Sequence, residues 1–430
     1  MSMVSWMIAG CGLGPAAPTP DPLPVVPAPA EAPAPAEAPA PTEAPAPTEP
    51  PPPLGASLAA TPAGVYGFSA DPARVGVVTG PVGTSLQELW SEPVGIQGWH
   101  SSPVVVGDRV YVPTYGSTWN ECDAEDGVAV IDRTSGARLA TWPTDCDANG
   151  LSSDGTRVYT VTDGGVAFGW TLSGDAVFRA QVGSGKLYSP PTPTDAGLLV
   201  SGRDLLALLD PATGAERARF PIEGTVRNHT VGASRAYFGL NAGRAGWCDL
   251  TSRACHTFTI PGDGSDTYGA IAWTPEVYAV PGGYDGSSSD AQLGLYRVSD
   301  DTRLWSHGHS VGAKASPAIT ADTVLFAESG EPGATGTDAW GGSLFAYDRA
   351  TGEERWSVKE HGGSWSSPVV AEGRVVWIPM DGTVLVLDLT TGSELASYAL
   401  GETVYATPAV VDGVIYVGTD SGRLVALTTR

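Results

Sequence analysis

The stretch that decides the fold is SSPVVVGDRVYV, at residues 101–112, because its pattern returns along the rest of the chain. It consists of a Ser-Pro step, an apolar run, a turn and a second apolar run. The same pattern occurs as ASPAITADTVLF at residues 315–326, SSPVVAEGRVVW at residues 366–377 and ATPAVVDGVIYV at residues 406–417. In each copy an apolar residue follows the proline by eight positions, as Tyr111 follows Pro103.

Four weaker copies keep this spacing of eight, with Tyr159 after Leu151, Leu198 after Pro190, Phe238 after Thr230 and Tyr278 after Ala270. The eight anchor positions are therefore 103, 151, 190, 230, 270, 317, 368 and 408, at intervals of 39 to 51 residues. A period of about 40 residues, with short apolar runs, turns and no helical periodicity, is typical of a four-stranded propeller blade. We predict an all-β, eight-bladed β-propeller.

The second half of several units ends in a tight turn, as in VAVIDRTSGA at residues 128–137 and LFAYDRATGEERW at residues 344–356. An aspartate side chain can cap such a turn, and a glycine can supply its positive φ angle. The predicted caps are Asp132, Asp210, Asp348 and Asp388, and the predicted glycines are Gly136, Gly214, Gly352 and Gly392.

The two ends of the chain are predicted to close the ring together. The last unit ends at VGTDSGRLVALTTR, residues 417–430, and supplies three strands, so its fourth strand is missing. SLQELW, at residues 85–90, resembles the outer strand of the unit that ends in ERW at residues 354–356. We predict that residues 85–90 supply the fourth strand of the last blade and remove its exposed edge.

These units resemble the pyrroloquinoline-quinone-type propeller repeat, which occurs in quinoprotein dehydrogenases and in the lipoprotein of the outer-membrane barrel-assembly complex. DRATGEERW at residues 348–356 is the best single match, and the resemblance covers residues 85–430. Elsewhere the tryptophan position is taken by Ala140, Ala218 and Ala396. The resemblance implies the fold, and it does not imply that the quinone binds, because repeat motifs of this kind are packing signals.

Charge and composition exclude some classes of function. The chain has 23 Lys plus Arg against 47 Asp plus Glu, and a formal charge of −24. Such a chain is a poor candidate for binding nucleic acid and is repelled by anionic membrane surfaces. We expect a monomer that touches a membrane only through a lipid anchor.

The N-terminal part suggests such an anchor. IAGC at residues 8–11 resembles a lipobox, so we predict that Cys11 is lipidated, that residues 1–11 end a truncated signal peptide and that the true start lies upstream. Residues 12–55, rich in Pro, Ala and Glu, are predicted to be an extended tether, and residues 56–84 to lead into the propeller along its side. The alternative is a chance IAGC in a cytosolic protein.

The other four cysteines are predicted to form two disulfides. Cys248 and Cys255 flank the turn DLTSRA, and Cys122 and Cys146 lie in two connections that open on the same face of a propeller. Disulfides are typical of compartments outside the reducing cytosol. We therefore place the protein in the cell envelope, either in the periplasm or at the cell surface.

Two candidate sites follow from the sequence. DCDANG at residues 145–150 matches the opening of a calcium loop, which suggests calcium ligands at Asp145, Asp147 and Asn149, with Asp123 and Asp126 brought close by the disulfide. The alternative is a polar loop with local turns. Three residues before the anchors, a second set of side chains is expected to surround the channel mouth and to bind an anionic group or a peptide: His100, Arg227, Lys314, Trp365 and Tyr405.

The function that we expect is that of a lipid-anchored, extracytoplasmic binding scaffold without catalysis of its own, whose partner is an envelope protein or a peptide. One alternative is a barrel-assembly scaffold like the lipoprotein named above. The other is a quinone-dependent dehydrogenase, which the sequence disfavours because it contains no adjacent cysteine pair and no set of calcium ligands that aligns with the one in such enzymes.

Overall fold

The computed structural model describes residues 71, 73–99, 101–261, 266–283, 291–309, 312–329, 343–359, 361 and 363–430. All regular elements in these ranges are β-strands, which form eight sheets, each built around four antiparallel strands. The predicted eight-bladed propeller is confirmed.

The strands are numbered in chain order, and two of them precede the first complete blade: β1 (Val77–Val78) and β2 (Leu86–Pro93). The first four blades follow as β3 (Val104–Val106), β4 (Arg109–Tyr115), β5 (Asp126–Asp132), β6 (Arg138–Pro143); β7 (Ala148–Ser153), β8 (Arg157–Thr162), β9 (Val166–Thr171), β10 (Ala176–Gln181); β11 (Thr192–Thr194), β12 (Gly197–Gly202), β13 (Leu205–Leu209), β14 (Glu216–Arg219); β15 (His229–Gly232), β16 (Arg235–Leu240), β17 (Arg244–Asp249), β18 (Cys255–Thr259).

The other four blades are β19 (Ala272–Trp273), β20 (Val277–Val280), β21 (Ala291–Arg297), β22 (Arg303–His309); β23 (Ala318–Ile319), β24 (Thr323–Ala327), β25 (Leu344–Asp348), β26 (Glu354–Val358); β27 (Val369–Ala371), β28 (Arg374–Trp377), β29 (Thr383–Asp388), β30 (Glu394–Ala399); and β31 (Ala409–Val411), β32 (Val414–Gly418), β33 (Arg423–Thr429) with β2. In every blade the first strand is innermost, and the anchor positions lie within it or just before it.

The last blade is closed by the N-terminal side of the chain, as predicted. Strand β2 pairs antiparallel with β33, from Leu86 opposite Thr429 to Pro93 opposite Arg423. At the end of this strand pair, next to the last residue of the chain, the Arg430 amide donates to the Ser85 carbonyl at 3.0 Å. The ring therefore has no open edge at this blade.

The predicted turn caps are also confirmed. The Asp348 side chain accepts hydrogen bonds from the amides of Ala350 and Thr351, each at 2.9 Å, and Gly352 has a φ of +78°. The three other predicted turns repeat this arrangement at Asp132, Asp210 and Asp388.

The hydrophobic core lies between neighbouring blades. The outer-strand tryptophan of one blade packs on the turn glycine of the next: a Cβ atom on Gly392 would lie 2.6 Å from the Trp356 ring, whose Nε1 donates to the Leu389 carbonyl at 2.9 Å. Trp305 contacts the next blade in the same way. These contacts explain why the DRATGEERW motif couples an Asp/Thr-Gly turn to a tryptophan.

The described part of the lead-in segment runs through the central channel, not along the outer side of the ring as we expect from the sequence. Strand β1 pairs in parallel with β27, on the side that faces the axis. Just before it, carbonyls of the segment accept hydrogen bonds from innermost strands of three blades, at Trp273, Ile319 and Val370. We call residues 71 and 73–79 the plug.

Because β1 runs parallel to β27, the plug passes down the channel in the direction of the innermost strands. Those strands begin at the face where the connections between blades lie, which is the mouth face. The plug therefore enters from the mouth side and leaves at the opposite face, where the chain turns outwards into β2. Within the described residues we find no helix with the length and hydrophobicity that a membrane span requires.

Candidate functional site

The residues that precede the innermost strands meet around the axis and line a cavity of about 310 Å³ at the mouth face. Arg227, Lys314 and Trp365, which we predict as mouth residues, line this cavity, and the Tyr405 ring packs against Trp365 in a tilted arrangement with ring centroids 4.4 Å apart. His100, the fifth predicted mouth residue, lies outside the described residues. We call this cavity the mouth pocket.

One side of the mouth pocket, the basic wall, consists of Arg227 and Lys314. The Arg227 guanidinium lies between the rings of Tyr188 and Tyr268, at 4.5 and 4.6 Å from their centroids. The Lys314 Nζ atom lies 3.3 Å from the Trp365 ring centroid. Aromatic faces attract cations, so these rings hold both charges in place.

The positive charges of the two basic residues also repel each other. Burial, and then the positive charge of Arg227, lower the pKa of Lys314 to about 7. A lysine that loses charge near neutral pH regains it when an anion comes into contact. The only acidic partner within ion-pair distance of Arg227 among the described residues is Asp266, at 3.9 Å.

The opposite side, the acidic wall, comes from blade 2 and its neighbouring loops. The Asn149 amide nitrogen donates to Asp163 at 2.6 Å, and its oxygen accepts from the Tyr115 hydroxyl at 2.8 Å. Asp163 also forms an ion pair with Lys186. Asp147, only 1% exposed, lies beside them and lines the pocket.

Asp147 belongs to a buried carboxyl pair with Asp126, which is also 1% exposed. Their Oδ2 atoms accept from the backbone amides of Asp123 and Asn120, whereas the Oδ1 atom of each is buried without a hydrogen-bond partner among the described residues. Burial is the main cause that raises the pKa of Asp126 to about 6 and that of Asp147 to about 7, and nearby carboxylates, including Asp163, raise both further. The pair therefore retains a proton near neutral pH.

Aromatic rings cover the space between the two walls. Trp99 packs on Tyr268 at 5.3 Å, and Trp119 packs edge-on against both Tyr115 at 5.1 Å and Tyr405 at 5.8 Å. A pocket with apolar rings and a few charged groups is typical of sites for small organic ligands.

The described residues give no support to the predicted calcium site, which stays a prediction. Among the described residues, which include all five predicted ligands, no group of three or more His, Cys, Asp or Glu side chains is arranged to hold a metal ion. Asp145 accepts from Thr162, whereas Asp123 accepts from Ser117 and from the Glu125 amide. The carboxylates of Asp145 and Asp123 are thus engaged in local hydrogen bonds.

Below the mouth pocket, the plug closes the channel. Its Arg74 side chain, 1% exposed, donates to the Pro190 carbonyl at 3.4 Å and to Thr192 at 3.2 Å. Thr192 in turn lies 3.0 Å from a ring nitrogen of His229. Burial, followed by the charge of Arg74, lowers the pKa of His229 well below its usual value, so this histidine stays neutral.

Both predicted disulfides are present. Cys122 is bonded to Cys146, and Cys248 to Cys255 across the register of β17 and β18. The first bond lies next to the acidic wall, since Cys146 directly precedes Asp147 and the loop after Cys122 leads into Asp126. This disulfide therefore links the two segments that carry Asp126 and Asp147.

Loss of the Cys122–Cys146 bond is expected to destabilise the protein more than loss of the other. The bonds span 24 and 7 residues, and in the chain-entropy description this corresponds to about 3.5 against about 2.5 kcal/mol. Urea unfolding of the two Cys→Ser double variants measures both values. Equal losses, or a larger loss for Cys248→Ser/Cys255→Ser, would contradict the expectation.

Several pocket residues were not predicted from the sequence: Trp99, Tyr115, Trp119, Asn120, Asp163, Lys186, Tyr188 and Tyr268. Tyr188 and Tyr268 stand two positions before anchors 190 and 270, one position away from the set that we selected. That neighbouring position is the signal that could have identified them. Asp163 and Lys186 carry no comparable signal, because loops place them.

Comparison with known proteins agrees with the repeat and the fold. The family profile described as outer membrane protein assembly factor BamB matches residues 289–430. BamB of Burkholderia pseudomallei (strain K96243) is 24% identical over 366 residues, which cover 80% of this chain and 88% of that protein. The lanthanide-dependent methanol dehydrogenase of Methylacidiphilum fumariolicum (strain SolV) is 28% identical over 139 residues, 32% of this chain, and the chain spans 21% of that enzyme's length.

Solved structures show the same fold. BamB from Moraxella catarrhalis superposes with a TM-score of 0.62 at 16% identity, covering 80% of this chain and 99% of that one. A europium-containing methanol dehydrogenase superposes with a TM-score of 0.67 at 13% identity, covering 86% and 98%. At such identities the likeness concerns the fold alone. The chain is thus a propeller of pyrroloquinoline-quinone-like repeats, similar to BamB.

Proposed function

We propose that this protein is a binding scaffold of the cell envelope, and that its mouth pocket takes an anionic group of its partner. The observation that carries the proposal is the basic wall. Two cations share one partly buried site, although the whole chain carries a charge of −24. An anion placed between Arg227 and Lys314 would offset both the burial of Lys314 and the repulsion between them.

The envelope location is supported by two disulfides and by the likeness to a protein whose name places it in outer-membrane assembly. We propose further that Cys11 carries a lipid anchor and that residues 12–55 form the tether. Both lie outside the described residues. Mass spectrometry of the membrane fraction, before and after Cys11→Ser, tests the anchor; an unmodified N-terminal peptide in that fraction would contradict it.

Benzoate, a planar carboxylate, is expected to bind the mouth pocket and to raise the melting temperature. Lys314→Met should weaken its affinity at least tenfold, whereas Lys359→Met, which removes a lysine that does not line the pocket, should change it less than twofold. Because the pKa of Lys314 is about 7, benzoate should bind more tightly at pH 6 than at pH 8. Titration calorimetry measures all three effects, and no binding at pH 6 would refute the proposal.

A barrel-assembly role is the second candidate, favoured by the 88% coverage of BamB from Burkholderia pseudomallei. Its test is affinity purification from the native membrane with the full chain as bait. Recovery of outer-membrane assembly components would support this role. Their consistent absence would leave the general scaffold.

A quinone-dependent dehydrogenase of the metal-assisted kind is not supported by the residues in the described ranges. Such an enzyme needs carboxylates gathered around a metal beside the quinone, and the described side chains form no group of that kind. We therefore derive no catalytic step. Stabilisation of the protein by added pyrroloquinoline quinone would reopen this alternative.

A further inference from the structure

The mouth pocket has two charged walls of opposite sign. The basic wall belongs to blades 4 and 6, through Arg227 and Lys314, whereas the acidic wall belongs to blade 2, through Asp147 and Asp163. Blade 2 lies across the channel from blade 6 in an eight-membered ring. The acidic wall and the basic wall therefore face each other across the channel.

The acidic wall differs from an ordinary acidic surface in two respects. Asp147 is only 1% exposed, yet it lines the cavity, and its buried Oδ1 atom has no hydrogen-bond partner among the described residues. Its other oxygen accepts from the Asn120 amide at 2.9 Å. A carboxyl pair that must hold a proton in order to remain buried is a site where a ligand's ammonium group can replace that proton.

The other charged groups around the acidic wall have partners within the protein. Asp163 pairs with Lys186, which also donates to Asn120 at 2.8 Å, and Asp123 is turned towards Ser117. The Tyr115 hydroxyl donates to Asn149, and burial together with Asp163 and Asp147 raises its pKa well above the usual value, so it stays protonated. The replaceable proton is therefore that of the Asp126–Asp147 pair.

We propose that the mouth pocket binds a short peptide through both of its free termini, with the ammonium against Asp147 and the carboxylate between Arg227 and Lys314. This rests on the proposed function, whose anion site becomes the carboxylate end. A single amino acid carries both charges on one carbon and cannot contact both walls. A dipeptide carries them at opposite ends, and the aromatic rings between the walls can cover a large side chain.

The volume of the mouth pocket agrees with a short peptide as the ligand. About 310 Å³ is at the small end of the range for pockets that bury small organic molecules. The site thus suits a peptide of two or three residues better than a folded partner. Any larger partner would have to insert a terminus.

The test uses the dipeptide Ala-Phe, its N-acetyl form without the ammonium and its C-terminal amide without the carboxylate, all titrated into the full chain. Ala-Phe should bind at least tenfold more tightly than either blocked form. In Asp147→Asn the effect of acetylation should fall below threefold, and in Lys314→Met the effect of amidation should do the same. Asp175→Asn, an exposed change in the same blade, should leave both effects intact.

A second readout does not depend on variants. At pH 6 the carboxyl pair is protonated, so binding of Ala-Phe should release protons, which calorimetry in two buffers of different ionisation enthalpy detects. N-acetyl-Ala-Phe and benzoate should release none, because neither brings an ammonium group. Proton release by all three ligands would contradict replacement at Asp147.

The outcomes separate this inference from the proposed function. If N-acetyl-Ala-Phe binds as tightly as Ala-Phe, the inference is wrong and the anion site remains. If the amide binds as tightly as Ala-Phe, the carboxylate is not recognised and the inference is again wrong. If neither Ala-Phe nor benzoate binds, both the inference and the proposed function fail.

Discussion

Deletion of residues 85–90 is expected to abolish the cooperative unfolding transition. The deletion removes most of the strand that pairs with β33, so the last blade keeps three strands and exposes a row of unpaired backbone groups. It also removes Trp90, which packs on Gly136 of the first blade. Thermal melting followed by circular dichroism measures the effect, and a transition like that of the full chain would show that the ring does not depend on this strand.

A single substitution tests the same closure of the ring by β2 with a smaller change to the structure. Trp90 of β2 packs on Gly136 of the first blade, donates to the Arg133 carbonyl at 3.2 Å and lies 5.9 Å from the Tyr416 ring. Because the ring is only partly buried, Trp90→Ala should lower the free energy of unfolding by about 2–3 kcal/mol, somewhat less than a fully buried tryptophan.

Trp356→Ala is the matched control for this variant, since Trp356 makes the equivalent contact between blades 6 and 7. Hydrogen exchange should become faster in β2 and β33 for Trp90→Ala, and in β26 for Trp356→Ala. Faster exchange in β33 in both variants would mean that the closing contact has no special role.

Gly76→Val is expected to expel the plug from the channel. A Cβ atom at this position would lie 2.8 Å from the Ala318 Cβ and 3.0 Å from the Pro368 carbonyl oxygen, and the φ of +67° disfavours a branched side chain. Overpacking of this kind, with the added backbone strain, costs about 2–5 kcal/mol. The plug's carbonyls contact three blades, so its release should lower the melting temperature while the ring remains folded.

Limited proteolysis measures this release, because residues 73–78 are buried or only partly exposed while they lie in the channel. Cleavage there should become at least tenfold faster in Gly76→Val. Gly185→Val serves as the control, since nothing lies within 4 Å of a Cβ atom at that position. Equal cleavage rates in Gly76→Val and the unmodified chain would argue that the plug tolerates the change.

The repeat was sufficient to predict the blades. Most anchors are a proline or a small residue just before a short apolar run, which forms the innermost strand. The Asp and Gly of each turn have local reasons to occur together. The closing strand was predictable because SLQELW has the same outer-strand pattern as its counterparts. Even the disulfides followed from the blade geometry.

The plug and the acidic wall could not be predicted in this way. Strand β1 has only two residues, and its parallel pairing with β27 depends on the completed ring. No local sequence pattern therefore predicts this pairing. DCDANG has the spacing of a calcium loop, but Asp147 and Asn149 line the pocket at the start of β7, whereas Asp145 accepts from Thr162. The partners that decide their chemistry, Asp126 and Asp163, come from other strands and loops.

The position of the plug also has a mechanical meaning. Any pull on the chain ahead of Asp71 reaches the plug before it reaches β2. The load is then shared between the backbone hydrogen bonds to three blades and the parallel pair of β1 and β27, which is stretched along its length and not unzipped bond by bond. The plug therefore bears the tension first, and β2, the strand that closes the ring, is loaded only after the plug has been pulled out of the channel.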